Sequence, residues 1–153
     1  MNIEQIVRDY IGKSLHLSLA TVSEYKPWVS EVHFVYDEDL NIYWRSLASR
    51  RHSIELMKNP YVAGNIVKQH ALDESPHAIY FEGQAFVLNN IEDIRSTYPL
   101  FRDRLASPET AIDEARTAEG HKFYKLVVSK WYAFGTFGGE KNQKYELDWN
   151  VNK

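Results

Sequence analysis

The chain contains no cysteine. That absence excludes disulfides, thiolate metal sites and a cysteine nucleophile, and it accords with the cytoplasmic location expected here. No run of about 18 apolar residues occurs, so no membrane span is expected. The opening "MNIEQIVRDY" lacks an apolar core followed by a small-residue cleavage site, so no secretory signal is expected. Positive charge is not in excess: 18 Lys and Arg stand against 21 Asp and Glu, a formal net charge of −3. A slightly acidic chain argues against a nucleic-acid partner, whose binders carry a basic face. No Gly-rich nucleotide fingerprint, no H-E-x-x-H spacing and no repeat or low-complexity segment appears, and no metal site is expected.

What is present is an ordinary globular composition. The 153 residues are 44 % hydrophobic and 25 % charged, which suits one domain spanning residues 1–153. Aromatics reach 14 %, with ten Tyr and four Trp, enough to serve a core, an oligomer interface or a planar ligand.

Periodicity orders the elements. Ile3, Ile6, Val7, Tyr10 and Ile11 fall at helical spacing, so a helix opens the chain. "LHLSLATV" alternates with period two and reads as a strand. "WVSEVHFVY" reads as a second strand with Trp28, Val32, Phe34 and Tyr36 on one face. The acidic turn "DEDLN" then joins it to "IYWRS" as a hairpin. Ser49 is placed to cap a short helix through "RRHSIELMK", ended by Asn59 and Pro60. "YVAGNIV" and "AIYFEGQAFVL" follow as strands, and Gly83 inside the second suggests a bulge. "IEDIRSTYPLFRDRL" reads as a helix interrupted near Pro99, and "SPETAIDEARTAE" as a helix capped by Ser107 with Pro108 at its first position. "KFYKLVVSKWYAFGTF" is a long strand, "GGEKNQ" a turn and "YELDW" a last short strand. The expected fold is mainly β with short α-helices: a six-stranded antiparallel sheet closed as a split barrel, which removes its edges.

One stretch stands out chemically. Arg45, Arg50, Arg51 and His52 fall within the eight residues from Arg45 to His52, at the junction of a strand and a helix. Helix N-terminal amides are unpaired donors, and guanidinium forks grip phosphate oxygens at two points. The hydroxyls of Ser46 and Ser49 add donors, so the stretch is a candidate phosphate site. The other reading is a solvated basic turn that pairs with the acidic "DEDL" nearby.

The stretch "YWRSLASRRHSIELMKNPYVAGNIV", with "LATVSEYKPWVSEVHFVYDED" before it and "YFEGQAFVL" after, resembles the FMN-binding split-barrel family that includes pyridoxamine 5′-phosphate oxidase. It is most similar to small uncharacterised members. The resemblance spans roughly residues 15 to 90, and more loosely the C-terminal strands. It implies FMN as cofactor, with Arg50 and Arg51 on its phosphate and Ser49 beside them. Arg45 and Ser46 then match strand-end contacts to the phosphate and ribityl chain, and His52 a further contact. The backbone from Val32 through His33 to Phe34 matches the strand that faces the flavin ring.

The resemblance also implies a homodimer with flavin at its interface, acting as a flavin-dependent oxidoreductase with NAD(P)H or another small molecule as electron donor. A non-catalytic flavin- or haem-binding dimeric module is the alternative. Trp131, Phe137 and Trp149 are candidates for the interface or ring pocket. Ala78, Ala106 and the lone Tyr98/Arg102 echo depart from the oxidase's own substrate pattern, so oxidation of pyridoxamine 5′-phosphate itself is not expected. Glu31 and Glu82 are expected to face solvent, and His16 and His33 to lie on neighbouring strands.

Overall fold

A computed structural model describes residues 1–68, 70–137 and 139–149. Gly138, in the expected "GGEKNQ" turn, and the end of the expected domain beyond residue 149 lie outside the described residues.

Helix α1 (Ile3–Gly12) starts where the Asn2 side chain accepts from Gln5 N, and it buries Val7 and Ile11 as the spacing requires. Strand β1 (His16–Ser23) pairs along its whole length with β2 (Lys26–His33). The expected second strand breaks at Phe34, and its last residues form β3 (Val35–Tyr36), which pairs with β4 (Ile42–Leu47). At the break the Phe34 amide still donates to Leu15 O, one step beyond the His16–His33 pair of β1 and β2, and its ring is fully buried.

Helix α2 (Arg51–Lys58) leads into β5 (Tyr61–Val67) and β6 (Ala78–Val87). Then come α3 (Ile91–Leu105), α4 (Thr110–Glu114), β7 (His121–Phe137) and β8 (Glu140–Asp148). The strand order is β2-β1-β5-β6-β7-β4-β3, with β8 also on β7, and every pairing is antiparallel. Segment 26–36 therefore supplies both the first and the last strand of the path, so the sheet must curl back on itself. Along one edge of β7, β4 pairs with residues 121–126 and β8 with residues 130–137, and the sheet divides between them. Eight strands stand where a six-stranded sheet was expected: the break at Phe34 splits one strand into β2 and β3, and the last short strand, which reaches back to Glu140, joins the same sheet on β7.

Inside the curl lie Trp44, Trp131, Tyr124, Phe34 and Phe81, all buried. Burying an aromatic or aliphatic side chain of this kind contributes about 1.5–3 kcal/mol. Trp131 is thus core, not interface. Trp149 packs against the same core while its indole donates to Asp39 O at 2.8 Å. Gly83 sits at the expected bulge: a Cβ there would lie 2.1 Å from Val127 O.

A second apolar cluster joins β3 and β4 to α3 and α4 through Val35, Tyr43, Tyr98, Phe101 and Phe123. It explains two departures from the sequence reading. Helix α3 runs through Pro99 without interruption, because Ile94, Thr97, Tyr98 and Phe101 bury its face on both sides of the missing bond. Ser107 does not cap α4: its backbone closes α3 instead, donating to Phe101 O and accepting from the Tyr98 hydroxyl. Only Thr110–Glu114 remains helical. No helix among the described residues is long and apolar enough to cross a membrane.

Candidate functional site

A cleft of about 650 Å³ opens where the end of β4, the start of α2 and strand β2 meet. It gathers Val32, His33, Arg45, Ser46, Arg50, Arg51 and His52, which the sequence had assembled from separate segments. Two expected residues lie elsewhere. Ser49 is exposed in the turn before α2 and outside the lining, and Phe34 is fully buried in the core with its amide bonded to Leu15 O. Sequence reasoning missed Trp28, Ser30 and Glu31 as wall residues. Their period-two alternation with Val32 and His33 along β2 held the only signal.

The helix starts differently from the expectation. Arg50, not Ser49, occupies the N-cap, and no side chain caps α2. The turn is closed by Arg50 N on Leu47 O at 3.1 Å, which leaves Ser49 pointing away. The first amides of α2, from Arg51 to Ser53, therefore keep their hydrogens free of any helix partner. No acidic residue sits in the first turn, so the positive end of the dipole is uncompensated.

The arginines differ in how they are held. Arg45 binds Glu114 of α4 at 2.6 Å and lies over the Phe123 ring at 5.3 Å. Arg51 donates to Glu55 Oε1 at 3.1 Å and covers the Trp28 ring at 4.3 Å. Glu55 is itself buried and accepts from Thr21 Oγ1 at 3.1 Å, which ties α2 to β1. Arg50 has no ion-pair partner among the described residues. Among the described residues none of these three arginines pairs with the "DEDL" turn, where the Glu38 carbonyl accepts from Arg8 at 3.1 Å. Asp37 instead accepts from Asn41 N, Asn41 Nδ2 and the Tyr43 hydroxyl. The solvated-turn reading thus lacks its acidic partner among the described residues.

Two polar atoms of the lining, Ser30 Oγ and Arg45 Nε, are buried without a hydrogen-bond partner. Buried polar atoms are nearly always satisfied, so these two point to a ligand that brings acceptor oxygens. His52 is buried, and its Nε2 lies 2.9 Å from Ser46 Oγ. Burial and then the Arg50 charge lower its pKa, against an opposing pull from Glu55, so its imidazole is neutral at pH 7. Glu114, held by hydrogen bonds from His121 and then by Arg45, has its carboxyl lowered to about 2 and stays ionised.

At the far end of β2, His33 is exposed and stacks on His16 of β1 at 5.8 Å, as their register dictates. Glu31 faces β1, 3.7 Å from His16 Nδ1 and hydrogen-bonded by Ser18 Oγ. Glu82, exposed as expected, accepts from the Tyr132 hydroxyl instead. No cluster of three His, Cys, Asp or Glu suited to a metal ion occurs among the described residues.

No protein-family model matches the chain, and no curated protein matches it. Solved structures do. A proposed 5-nitroimidazole antibiotic resistance protein of Bacteroides thetaiotaomicron superposes with a TM-score of 0.72 at 15 % identity, over 87 % of this chain and 84 % of that one. HutZ, the haem storage protein of Vibrio cholerae, gives 0.64 at 16 % identity, over 97 % and 95 %. A proposed pyridoxamine 5′-phosphate oxidase of Listeria innocua gives 0.65 at 15 % identity, over 86 % and 98 %. At such identities the likeness establishes the fold, the curled antiparallel sheet of a split barrel of the pyridoxamine 5′-phosphate oxidase kind.

Proposed function

We propose that the cleft receives the phosphate of FMN and that the protein is a flavin-dependent oxidoreductase acting as a homodimer. One observation carries this reading: an uncapped helix N-terminus and the unpaired Arg50 line one cleft, and two residues of its wall, Ser30 and Arg45, bury a polar atom without a partner among the described residues. A compact dianion with several acceptor oxygens answers all of them at once.

The residues divide the work. Arg50 supplies the charge that nothing else neutralises. Arg51 and Arg45 arrive pre-oriented by Glu55 and Glu114, so little side-chain freedom is lost on binding. Ser46 shares its hydroxyl with His52, and a neutral imidazole can donate or accept as the ligand requires. The Val32 and His33 end of β2 offers backbone and an exposed imidazole to a planar ring. FMN, when bound, supplies hydride and electron transfer, so no side chain of the cleft needs to act as nucleophile or general acid. NADH or NADPH is the proposed donor.

The dimer reading draws support from the outer face of the sheet. Val29, Tyr61 and Phe86 are exposed there, around a groove of about 960 Å³ between β1, β5 and β6. Such exposed apolar side chains favour a second chain over water.

A second reading, a haem-binding module, is favoured by the exposed His16–His33 stack beside the cleft. An absorption spectrum of purified protein, with and without added FMN, separates the two. Flavin bands that persist through dialysis and bleach with NADH or NADPH support the proposal. A Soret band in their place supports haem, and a bare protein spectrum that does not respond to FMN rejects the proposal.

A further inference from the structure

A second cavity, of about 490 Å³, lies beyond the His16–His33 stack, bounded by the end of α1, the start of β1 and the end of β5. That size falls within the range of about 300–1,000 Å³ typical of small-molecule sites. Its apolar walls are Ile6, Leu15, Val67 and Phe137, and the His77 ring stands 4.9 Å from that of Phe137. Lys13 and Lys68 flank it, and neither has an ion-pair partner among the described residues.

The Tyr10 hydroxyl is buried with no hydrogen-bond partner, although the ring lines this cavity. Burial raises its pKa, so the group keeps its proton and is a donor awaiting an acceptor. Asp9 is the one carboxylate in the lining; its Oδ1 accepts from Gln5 Nε2 at 3.0 Å, and it makes no ion pair with Lys13, four residues on, among the described residues. The carbonyl end of α1 is also neutralised locally: Tyr10 O and Ile11 O accept from Lys13 N, Ser14 Oγ and Arg104 Nη2.

We propose that this cavity is a second ligand site, for a small aromatic carboxylate. The ring lies against Phe137, Leu15 and Val67, the carboxylate meets Lys13 and Lys68, and a ring oxygen accepts from the Tyr10 hydroxyl. The site stands apart from the flavin reading, because it shares no lining residue with the basic cleft.

The test is a titration of the full chain with 4-hydroxybenzoate, followed by amide shifts in a nitrogen-15 spectrum. Saturable shifts centred on residues 10–16, 67, 68 and 77 are expected. The neutral 4-hydroxybenzamide binds at least about fivefold more weakly, as does 4-hydroxybenzoate to the Lys13→Met/Lys68→Met variant, since each removes an ion pair. Arg50→Ala/Arg51→Ala leaves this binding unchanged, which separates the site from any failure of FMN to bind. Shifts confined to residues 28–33 and 45–52, equal affinity in the lysine variant, or no saturation at millimolar ligand overturns the proposal. Competition by inorganic phosphate at equal strength does so too, because it would show that only charge is read.

Discussion

The basic cleft and the second cavity both carry unsatisfied cationic groups, yet they are built on opposite plans. In the cleft, guanidinium groups are braced by carboxylates on other elements: Arg45 by Glu114 across the fold, Arg51 by the buried Glu55. Of these arginines, Arg50 alone has no ion pair among the described residues. In the cavity, two lysines stand unbraced at the rim of an apolar chamber. Braced forks suit a ligand whose oxygens have fixed geometry, such as a phosphate ester. Flexible ammonium groups over apolar walls suit a ligand recognised by shape and a single charge. The contrast shows that counting cations says little; what holds each of them decides which anion it serves.

The comparison breaks most sharply at Arg50 and Arg51. Replacing both with Ala removes two charge-assisted contacts, each worth about 1.5–3 kcal/mol, so FMN affinity falls at least about a hundredfold by fluorescence titration. The melting temperature falls as well, because Arg51→Ala leaves the buried Glu55 carboxylate without its cation; Arg50→Ala alone, at an exposed side chain with no ion pair among the described residues, leaves it nearly unchanged.

Glu55→Gln tests the bracing itself. The carboxylate is 5 % exposed and serves both Thr21 and Arg51. Its loss destabilises the protein by about 1–3 kcal/mol in urea melts and weakens FMN less than the double arginine variant does. Asp9→Asn, the matching change at the exposed cavity rim, leaves the urea midpoint where it was.

Acidity acts next on two groups of the cleft, His52 and the brace Glu114. The native pKa of His52 lies below its ordinary 6.5, so the unfolded chain takes a proton there that the native state refuses. Stability therefore rises with pH through the window that ends near 6.5 and is flat above it. Glu114 works in a lower window: its contribution is complete above 4.5 and is lost as pH falls toward about 2. Its side chain is 41 % exposed, so solvent screening keeps that contribution small. Urea midpoints measured on both sides of 6.5, with His52→Gln as control, check the first window.

The smallest effects sharpen the comparison further. Ser30→Ala and Tyr10→Phe each remove a buried hydroxyl that has no partner. Each variant gains up to about 1 kcal/mol of stability without ligand. Each also loses affinity at its own site alone, Ser30→Ala for FMN and Tyr10→Phe for the aromatic carboxylate. A loss at both sites, or at neither, would dissolve the distinction.

Much of the site was legible in the sequence, because its chemistry is local. Arg45 through His52 are contiguous, and a strand followed by a helix start fixes where they point. That His16 and His33 lie on neighbouring strands was also readable; that they face each other directly was not. What was hidden depended on distant partners. Glu114 lies far along the chain from Arg45, and no spacing rule reveals that pairing. Phe34 looked like one more residue of a strand, yet there the chain leaves its pairing with β1 and turns to β4, with the Phe34 ring in the core. Pro99 carried a local rule against helix that tertiary packing overrode. Ser49 met the cap preference, but the chain closed its turn one residue later. Tyr10 gave a clear helical signal and no hint of an orphaned hydroxyl, since that is a property of the assembled cavity.

The most direct test of the central claim is a fluorescence titration of FMN into the wild-type protein and into Arg50→Ala/Arg51→Ala at the same ionic strength. We expect saturable quenching by the wild type, with a micromolar or tighter dissociation constant, and at least about a hundredfold loss in the variant. Quenching of equal strength in both proteins, or none in the wild type, would contradict the assignment of this cleft to the phosphate of FMN.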